Sequence, residues 1–123
     1  MTARILIVED DEDLQEIYAS MLGAHDYHIT RAYDGGDALE RLEEATPDLI
    51  VLDIILDEMM GDEFFMRIKQ DARYADIPVV VVSALPAERC QQMLALDPAV
   101  AFLRKPFGRM QLLEAIERGL GER

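Results

Sequence analysis

Short apolar runs alternate with amphipathic helical patterns along the chain, and this alternation limits its possible folds more than any other feature of the sequence. Three of the runs are apolar almost throughout, which is typical of strands buried on both faces of a sheet. The second run alternates apolar and polar residues, which predicts an edge strand. The five predicted strands are 3–8, 27–32, 47–53, 77–84 and 99–103.

The segments between these runs have the spacing of amphipathic helices. Asp34 is the predicted N-cap of the second helix, and Gly23 the predicted end of the first. Strands and helices in strict alternation favour an α/β fold, a doubly wound parallel sheet with helices on both faces. The predicted inner faces of the five helices are Leu14, Ile17, Tyr18, Met21 and Leu22; Ala38, Leu39 and Leu42; Phe64, Phe65 and Ile68; Cys90, Met93 and Leu94; and Leu113, Ile116 and Leu120.

The charge balance excludes several classes of partner. With 25 acidic and 12 basic residues among 123, the formal net charge is −13. Direct binding to nucleic acid or to an anionic membrane needs clustered basic residues, so neither is expected. The single cysteine, Cys90, excludes an internal disulfide. No apolar stretch approaches the roughly 18 residues of a membrane span, and no signal peptide is recognisable. We expect one soluble, cytoplasmic domain covering 1–123.

Polar side chains stand where the apolar runs end. In doubly wound folds, ligands bind beyond the carboxyl ends of the strands, so these side chains should share one edge of the sheet. Acids this close together repel each other unless a cation lies among them, and few carboxylates with room for water favour Mg²⁺. The residues in question are Glu9, Asp10 and Asp11 after the first run, Asp53 at the third, Ser83 at the fourth and Lys105 after the fifth.

The same side chains suit phosphoryl chemistry. A carboxylate such as Asp53 can act as a nucleophile and form an acyl phosphate, with Mg²⁺ offsetting the repulsion between two anions. Lys105 supplies a positive charge suited to phosphate, and Ser83 supplies a hydroxyl donor. Asp11 is compatible either with supporting the metal or with capping the first helix.

At this point the sequence resembles the receiver domain of bacterial two-component response regulators over essentially its whole length. The matching segments occur in order and at the right spacings. They are "ILIVEDD" (5–11), "PDLIVLD" (47–53), Gly61, "IPVVVVSA" (77–84) and "FLRKPF" (102–107).

The resemblance implies a flavodoxin-like fold, a five-stranded parallel sheet of order 2-1-3-4-5 with five helices. It also assigns roles to individual residues. These are Asp53 as phosphoacceptor, Asp10 as a direct Mg²⁺ ligand, Glu9 as a ligand through water, the backbone carbonyl of Ile55 as a further ligand, Lys105 as the lysine of the site, Ser83 and Phe102 as the switch pair, and Pro106 as the residue after a cis peptide bond.

The implied function is a phosphorylation-activated signalling switch. A histidine kinase or phosphotransfer protein would donate the phosphoryl group, and the domain would catalyse its own phosphorylation and dephosphorylation without being a turnover enzyme. The signal would leave through the fourth helix, fifth strand and fifth helix, where Met93, Leu96 and Val100 form a candidate partner surface. The recipient is either a downstream protein or an output domain missing from this chain, and a phosphorylation-dependent homodimer stays open.

The sequence departs from the family pattern at three positions, and two other functions remain as alternatives. Asp57 stands where proline is common, while Ile55 and Leu85 stand where polar side chains in some relatives assist the attacking water, which predicts a long-lived phosphoryl state. A haloacid dehalogenase-like magnesium phosphatase would want an acid at Ile55. A flavodoxin-like flavin carrier would want a loop rich in Ser, Thr and Gly where this chain has the acids of 9–13.

Overall fold

Strands and helices alternate through the computed structural model, which describes residues 2–23, 25–53, 61–83 and 91–121; for 61–62 and 91–92 it describes the backbone alone. The strands are β1 (Ala3–Val8), β2 (Tyr27–Ala32), β3 (Leu49–Asp53), β4 (Val79–Ser83) and β5 (Ala101–Arg104). The helices are α1 (Glu12–Leu22), α2 (Gly35–Glu44), α3 (Gly61–Lys69), α4 (Gln91–Leu96) and α5 (Arg109–Gly121).

The strands form one parallel sheet in the order β2-β1-β3-β4-β5, which confirms the predicted fold. Every residue of β3 and β4 is buried, as their unbroken apolar sequences predicted. The alternating strand β2 lies at one edge, also as predicted, and β5 lies at the other.

Two apolar cores lie on opposite faces of the sheet, because neighbouring side chains of a strand point to opposite sides. In β1, Leu6 and Val8 pack with residues of α2, α3 and α4, whereas Ile5 and Ile7 pack with residues of α1 and α5. Burying a side chain of this size contributes about 1.5–3 kcal/mol. The two cores therefore fix the strand ends, and with them the side chains that the strand ends carry.

Three strands begin later than the sequence predicted. Pro47 and Pro78 precede β3 and β4, where a residue without an N–H cannot donate to a central ladder. Before β5, the N–H groups of Ala99 and Val100 donate to Asp97 in a turn instead of pairing with the sheet. The strand ends that carry polar side chains agree with the prediction more closely than these starts.

The face of α1 differs from its prediction. Ile17 was predicted on the inner face, but 47% of it is exposed, while Gln15 is fully buried. The predicted helix ends are confirmed. The side chain of Asp34 accepts a hydrogen bond from the N–H of Asp37 at 2.7 Å, and α1 ends immediately before Gly23. Among the helices described, none has the length and apolar character needed to cross a membrane.

Candidate functional site

The register of the sheet brings the polar strand ends together. Val8 pairs with Leu52, so Glu9 follows β1 beside the end of β3, where Asp53 pairs with Val82 of β4. Ser83 closes β4 and pairs with Arg104, the residue before Lys105. All of these side chains therefore belong to the carboxyl-terminal edge of the sheet.

Lys105 bridges the site. Its Nζ lies 2.8 Å from Oδ2 of Asp53, a charge-assisted hydrogen bond between residues 52 positions apart in the chain. Its backbone is fixed as well, since the N–H of Lys105 donates to the carbonyl of Ser83 at 2.8 Å. The strand that supplies Ser83 thus also holds the lysine that reaches Asp53.

Glu9 is the most deeply buried acid of the site, with 1% of its surface exposed. Burial, reinforced by the neighbouring carboxyls of Asp53 and Asp10, raises the pKa of Glu9 to about 9. Its Oε2 accepts a hydrogen bond from the N–H of Asp11 at 3.3 Å. Its Oε1 is buried, has no hydrogen-bond partner among the described residues, and lies 3.8 Å from Nζ of Lys105.

The donors present fit Mg²⁺ in their chemistry. Hard cations prefer carboxylate oxygens, and Oε1 of Glu9 is a buried oxygen without a hydrogen-bond partner among the described residues, beside the carboxyl of Asp53. Within the part of the chain that the structure describes, no group of three His, Cys, Asp or Glu side chains is arranged to hold a metal ion.

The remaining acids after β1 have separate roles. Asp11 is the N-cap of α1, and its Oδ1 accepts from the N–H groups of Asp13 and Leu14 at 2.8 and 3.3 Å. Capping is therefore the observed role of Asp11. Glu12 and Asp13 are exposed in the first turn of α1, where negative charge favours the helix dipole. Asp10 is half-buried beside Glu9.

The two predicted switch residues lie on adjacent strands. Ser83 is buried at the end of β4. Phe102 of β5 pairs with Val81 and is half-buried against the core on the α2, α3 and α4 face. Ile55, Asp57, Leu85 and Cys90 lie outside the described residues, as does the peptide between 53 and 61. The Lys105–Pro106 bond is cis, as the family pattern predicted.

Gln15 is a site residue that the sequence analysis missed. Its Nε2 lies 3.1 Å from the carbonyl oxygen of Ile7, 3.1 Å from that of Glu9 and 2.9 Å from that of Ala32. The buried amide therefore ties the ends of β1 and β2 together directly beneath the acids. Periodicity alone gave no signal for it, because a polar residue on a helix normally predicts an exposed position.

Comparison with known proteins gives a consistent family match. The family model of the response regulator receiver domain matches residues 5–117. The chain is 31% identical over 122 residues to the polar-differentiation response regulator DivK of Brucella ovis, covering 99% of both. A structure of the chemotaxis protein CheY4 of Vibrio cholerae is similar with a TM-score of 0.88 and 26% identity, covering 98% of this chain and all of that one.

A second kind of relative is much longer than this chain. The sensor histidine kinase TmoS of Ectopseudomonas mendocina is 35% identical over 109 residues. The match covers 89% of this chain but only 11% of TmoS. Similar sequences therefore occur both as short response regulators and as parts of sensor kinases.

Proposed function

The chain belongs to the response regulator receiver domain family of two-component signalling, and from that premise we propose that it is a switch controlled by phosphorylation of Asp53. Family membership sets aside the phosphatase and flavin-carrier alternatives. The observation that carries the proposal is the contact between Nζ of Lys105 and Oδ2 of Asp53, 2.8 Å apart at the carboxyl-terminal edge of the sheet.

The proposed reaction is transfer from a phosphohistidine of a kinase or phosphotransfer protein. A carboxylate oxygen of Asp53 attacks phosphorus, the P–N bond breaks, and the imidazole nitrogen keeps the bonding pair and takes up a proton. Lys105 is the group that meets the negative charge of the transferring phosphoryl group, because its ammonium already lies against the attacking carboxylate. We propose that this chemistry occurs in the cytoplasm, with the chain as a single receiver domain.

We assign the metal site to Glu9, Asp10 and Asp53, with the backbone carbonyl of Ile55 as a further ligand. Bound Mg²⁺ would supply charge neutralisation between the attacking carboxylate and the phosphoryl donor. The support in this chain is the buried Oε1 of Glu9, which has no hydrogen-bond partner among the described residues, and the crowding of carboxyls that raises the pKa of Glu9, which a bound cation would relieve.

The proposed output is a rearrangement that begins at Ser83. A phosphoryl group on Asp53 presents anionic oxygens to the hydroxyl of Ser83 and to Lys105, and Phe102 then moves into the space that opens. Phe102 is suited to this because it is only half-buried and packs against the core that includes α4. The proposed signalling surface is α4-β5-α5, where Leu94 and Leu96 are exposed. Leu94 was predicted on the inner face of α4, and that prediction is wrong. Of the predicted partner surface only Leu96 is exposed, because Met93 and Val100 are buried in the core.

The experiment that tests this function uses acetyl phosphate with and without Mg²⁺, followed by intact-mass measurement. We expect the wild type to gain the mass of one phosphoryl group only when Mg²⁺ is present, and Asp53→Ala to gain nothing. Asp71→Ala is the matched control, since it removes a half-buried carboxylate that is paired with Arg73 and lies outside the site, and it should react like the wild type. Equal labelling of Asp53→Ala would refute the assignment.

The lifetime of the phosphoryl group remains a separate prediction. Ile55 and Leu85 are apolar where a polar side chain would orient a hydrolytic water. We expect Ile55→Asn to shorten the time course of dephosphorylation relative to the wild type, measured by intact mass after removal of acetyl phosphate. An unchanged or longer lifetime would contradict this interpretation of position 55.

A further inference from the structure

An apolar groove lies beside the phosphorylation site, between α1 and the segment that follows β5. Its volume is about 480 Å³, and Tyr18, Lys105, Pro106 and Phe107 are among the residues that line it. Lys105 thus belongs both to this groove and to the carboxylate cluster. Contacts that hold the wall of this groove in place therefore also influence the position of the Lys105 ammonium.

Two aromatic rings connect the walls of this groove. The rings of Tyr18 on α1 and Phe107 after β5 are nearly parallel, with an interplanar angle of 12° and centroids 6.0 Å apart. Tyr18 is buried, whereas Phe107 is half-buried and packs against the core formed with α1 and α5. Aromatic pairs at this separation contribute about 0.5–1.5 kcal/mol beyond the area that they bury.

The segment that carries Lys105 has few other restraints. The N–H of Lys105 donates to the carbonyl of Ser83, and the N–H of Gly108 donates to Oε1 of Gln111 at 2.8 Å. Between these two points, Pro106 has no N–H to donate. Packing of the Phe107 ring is therefore a principal restraint on the two residues that follow Lys105.

Tyr18 also lies close to the acids of the site. Burial raises the pKa of Tyr18 well above its ordinary value, and the negative charges of Glu9 and Asp53 raise it further. The described residues give Tyr18 no place in the phosphoryl-transfer steps proposed above.

We propose that Tyr18 is a positioning residue that acts through Phe107, holding the segment after β5 so that the ammonium of Lys105 stays against Asp53. The inference rests on the proposed function, because the position of Lys105 matters only if that lysine serves phosphoryl transfer. A small displacement of such a group costs a large factor in rate, up to about a hundredfold for 1 Å.

Lysine labelling tests the geometry without any phosphorylation. The chain has only two lysines, Lys105 and Lys69, so Lys69 is an internal reference. With N-hydroxysuccinimidyl acetate followed by peptide mass mapping, we expect Lys105 to react about tenfold faster relative to Lys69 in Tyr18→Leu, the scale of weakening one charge-assisted hydrogen bond. Phe107→Leu should behave alike, and Tyr18→Phe, which keeps the stack, should resemble the wild type.

Phosphorylation by acetyl phosphate in Mg²⁺ then tests the consequence. Tyr18→Leu should lower the rate constant of phosphorylation about tenfold. The rate constant of Tyr18→Phe should lie within about twofold of that of the wild type. Leu42→Ala is the control for lost stability, since Leu42 of α2 is buried in the core on the opposite face of the sheet from the stack. Unchanged relative labelling of Lys105 in Tyr18→Leu, or an equal rise in Leu42→Ala, would overturn the inference.

The two proposals fail in different ways. A wild type that gains no phosphoryl group would remove the proposed function, whatever the labelling shows. A wild type that is phosphorylated normally, with Tyr18→Leu equal to it in both rate and Lys105 labelling, would remove only the role of Tyr18.

Discussion

The two lysines of this chain form ion pairs at opposite ends of the sheet, and the two pairs can be compared directly. Lys105 pairs with Asp53 at the carboxyl-terminal edge, 2.8 Å apart. Lys69, the last residue of α3, pairs with Asp97 at the opposite edge, 3.0 Å apart. The distances are almost equal, but the surroundings of the two ammonium groups are not.

Lys69 is fully satisfied. Besides Asp97, its Nζ donates to the carbonyl oxygens of Ala75 at 3.0 Å and Ile77 at 2.7 Å, and it lies 5.6 Å from the centre of the Phe65 ring. One carboxylate balances one ammonium, and three N–H donors meet three oxygens. Only 4% of the side chain is exposed. The result is an ion pair that joins the end of α3 to the segments just before β4 and just after α4.

The ammonium of Lys105 faces more than one carboxyl group. Two carboxyls, Asp53 and Glu9, face this single ammonium, with Asp10 beside them, and 26% of the Lys105 side chain is exposed. An arrangement in which one ammonium is shared between two carboxyls, one of which has a buried oxygen without a hydrogen-bond partner among the described residues, is poorly suited to stabilising a fold. It is well suited to receiving a second cation and an anionic group. The surroundings of the ammonium, more than the presence of an ion pair, distinguish the candidate functional site from the structural pair.

Replacing Lys69 with methionine should produce the largest change in stability. Lys69→Met leaves Asp97 without its cation and two carbonyls without donors, so we expect the free energy of unfolding to fall by about 2–4 kcal/mol. We place this in the lower part of the usual range because Asp97 keeps some solvent contact. Urea denaturation measures it. A loss below about 1 kcal/mol would break the comparison, since it would make this pair no more structural than a surface one.

Substitution of Lys105 with methionine should change the rate of phosphorylation. Lys105→Met should lower the rate of Mg²⁺-dependent phosphorylation by acetyl phosphate about a hundredfold, or about 2.7 kcal/mol in barrier. Lys69→Met, in conditions where it stays folded, should react within about twofold of the wild type, because it lies at the opposite edge of the sheet. Equal losses of rate in both variants would show that the two pairs do not differ in function.

The sequence predicted the pair of Asp53 and Lys105 but gave no indication of the pair that Lys69 forms. Asp53 and Lys105 were predictable because each directly follows a buried apolar run, and parallel strands bring such positions to one edge. Lys69 ends an amphipathic helix, where a lysine normally predicts a solvent-exposed cation. Its burial depends on the carbonyls of Ala75 and Ile77 and on Asp97, which only the folded connections bring together.

The first helix illustrates the same limit. Hydrophobic spacing predicted an inner Ile17 and gave no inner role to Gln15, and both were wrong. Periodicity describes the apolar face of a helix, but it cannot show that carbonyls at the ends of β1 and β2 would accept hydrogen bonds from a buried amide. Residues that satisfy tertiary hydrogen bonds are therefore the ones that sequence patterns miss.

Relieving the excess of acid should stabilise the carboxyl-terminal edge. Glu9→Gln removes a buried carboxyl that is crowded by Asp53, and we expect the free energy of unfolding without Mg²⁺ to rise by about 2 kcal/mol at pH 8. Since the pKa of Glu9 is raised from 4.5 to about 9 in the folded state, the folded protein holds this proton more tightly than the unfolded chain. Stability of the wild type is therefore lost as pH rises between these values.

The gain from Glu9→Gln should accordingly grow between about pH 5 and pH 9, in denaturation curves recorded with chelator present. Glu40→Gln is the control, because Glu40 is exposed on α2. A gain that shrinks as the pH rises, or one that Glu40→Gln reproduces, would show that Glu9 is not the source of the strain.

Magnesium should give the smallest effect, and it tests whether the spare acceptors select a cation. At a concentration about tenfold above its dissociation constant, Mg²⁺ should stabilise the wild type by about 1.4 kcal/mol, because it binds the folded site and not the unfolded chain. Asp10→Asn should lose most of this gain. Asp13→Asn should keep it, since Asp13 belongs to the same run of acids but is exposed in the first turn of α1. Equal gains in both variants, or an equal gain from NaCl at matched ionic strength, would mean that Mg²⁺ only screens the net charge of −13. The two ends of the sheet would then differ in geometry but not in their affinity for a cation.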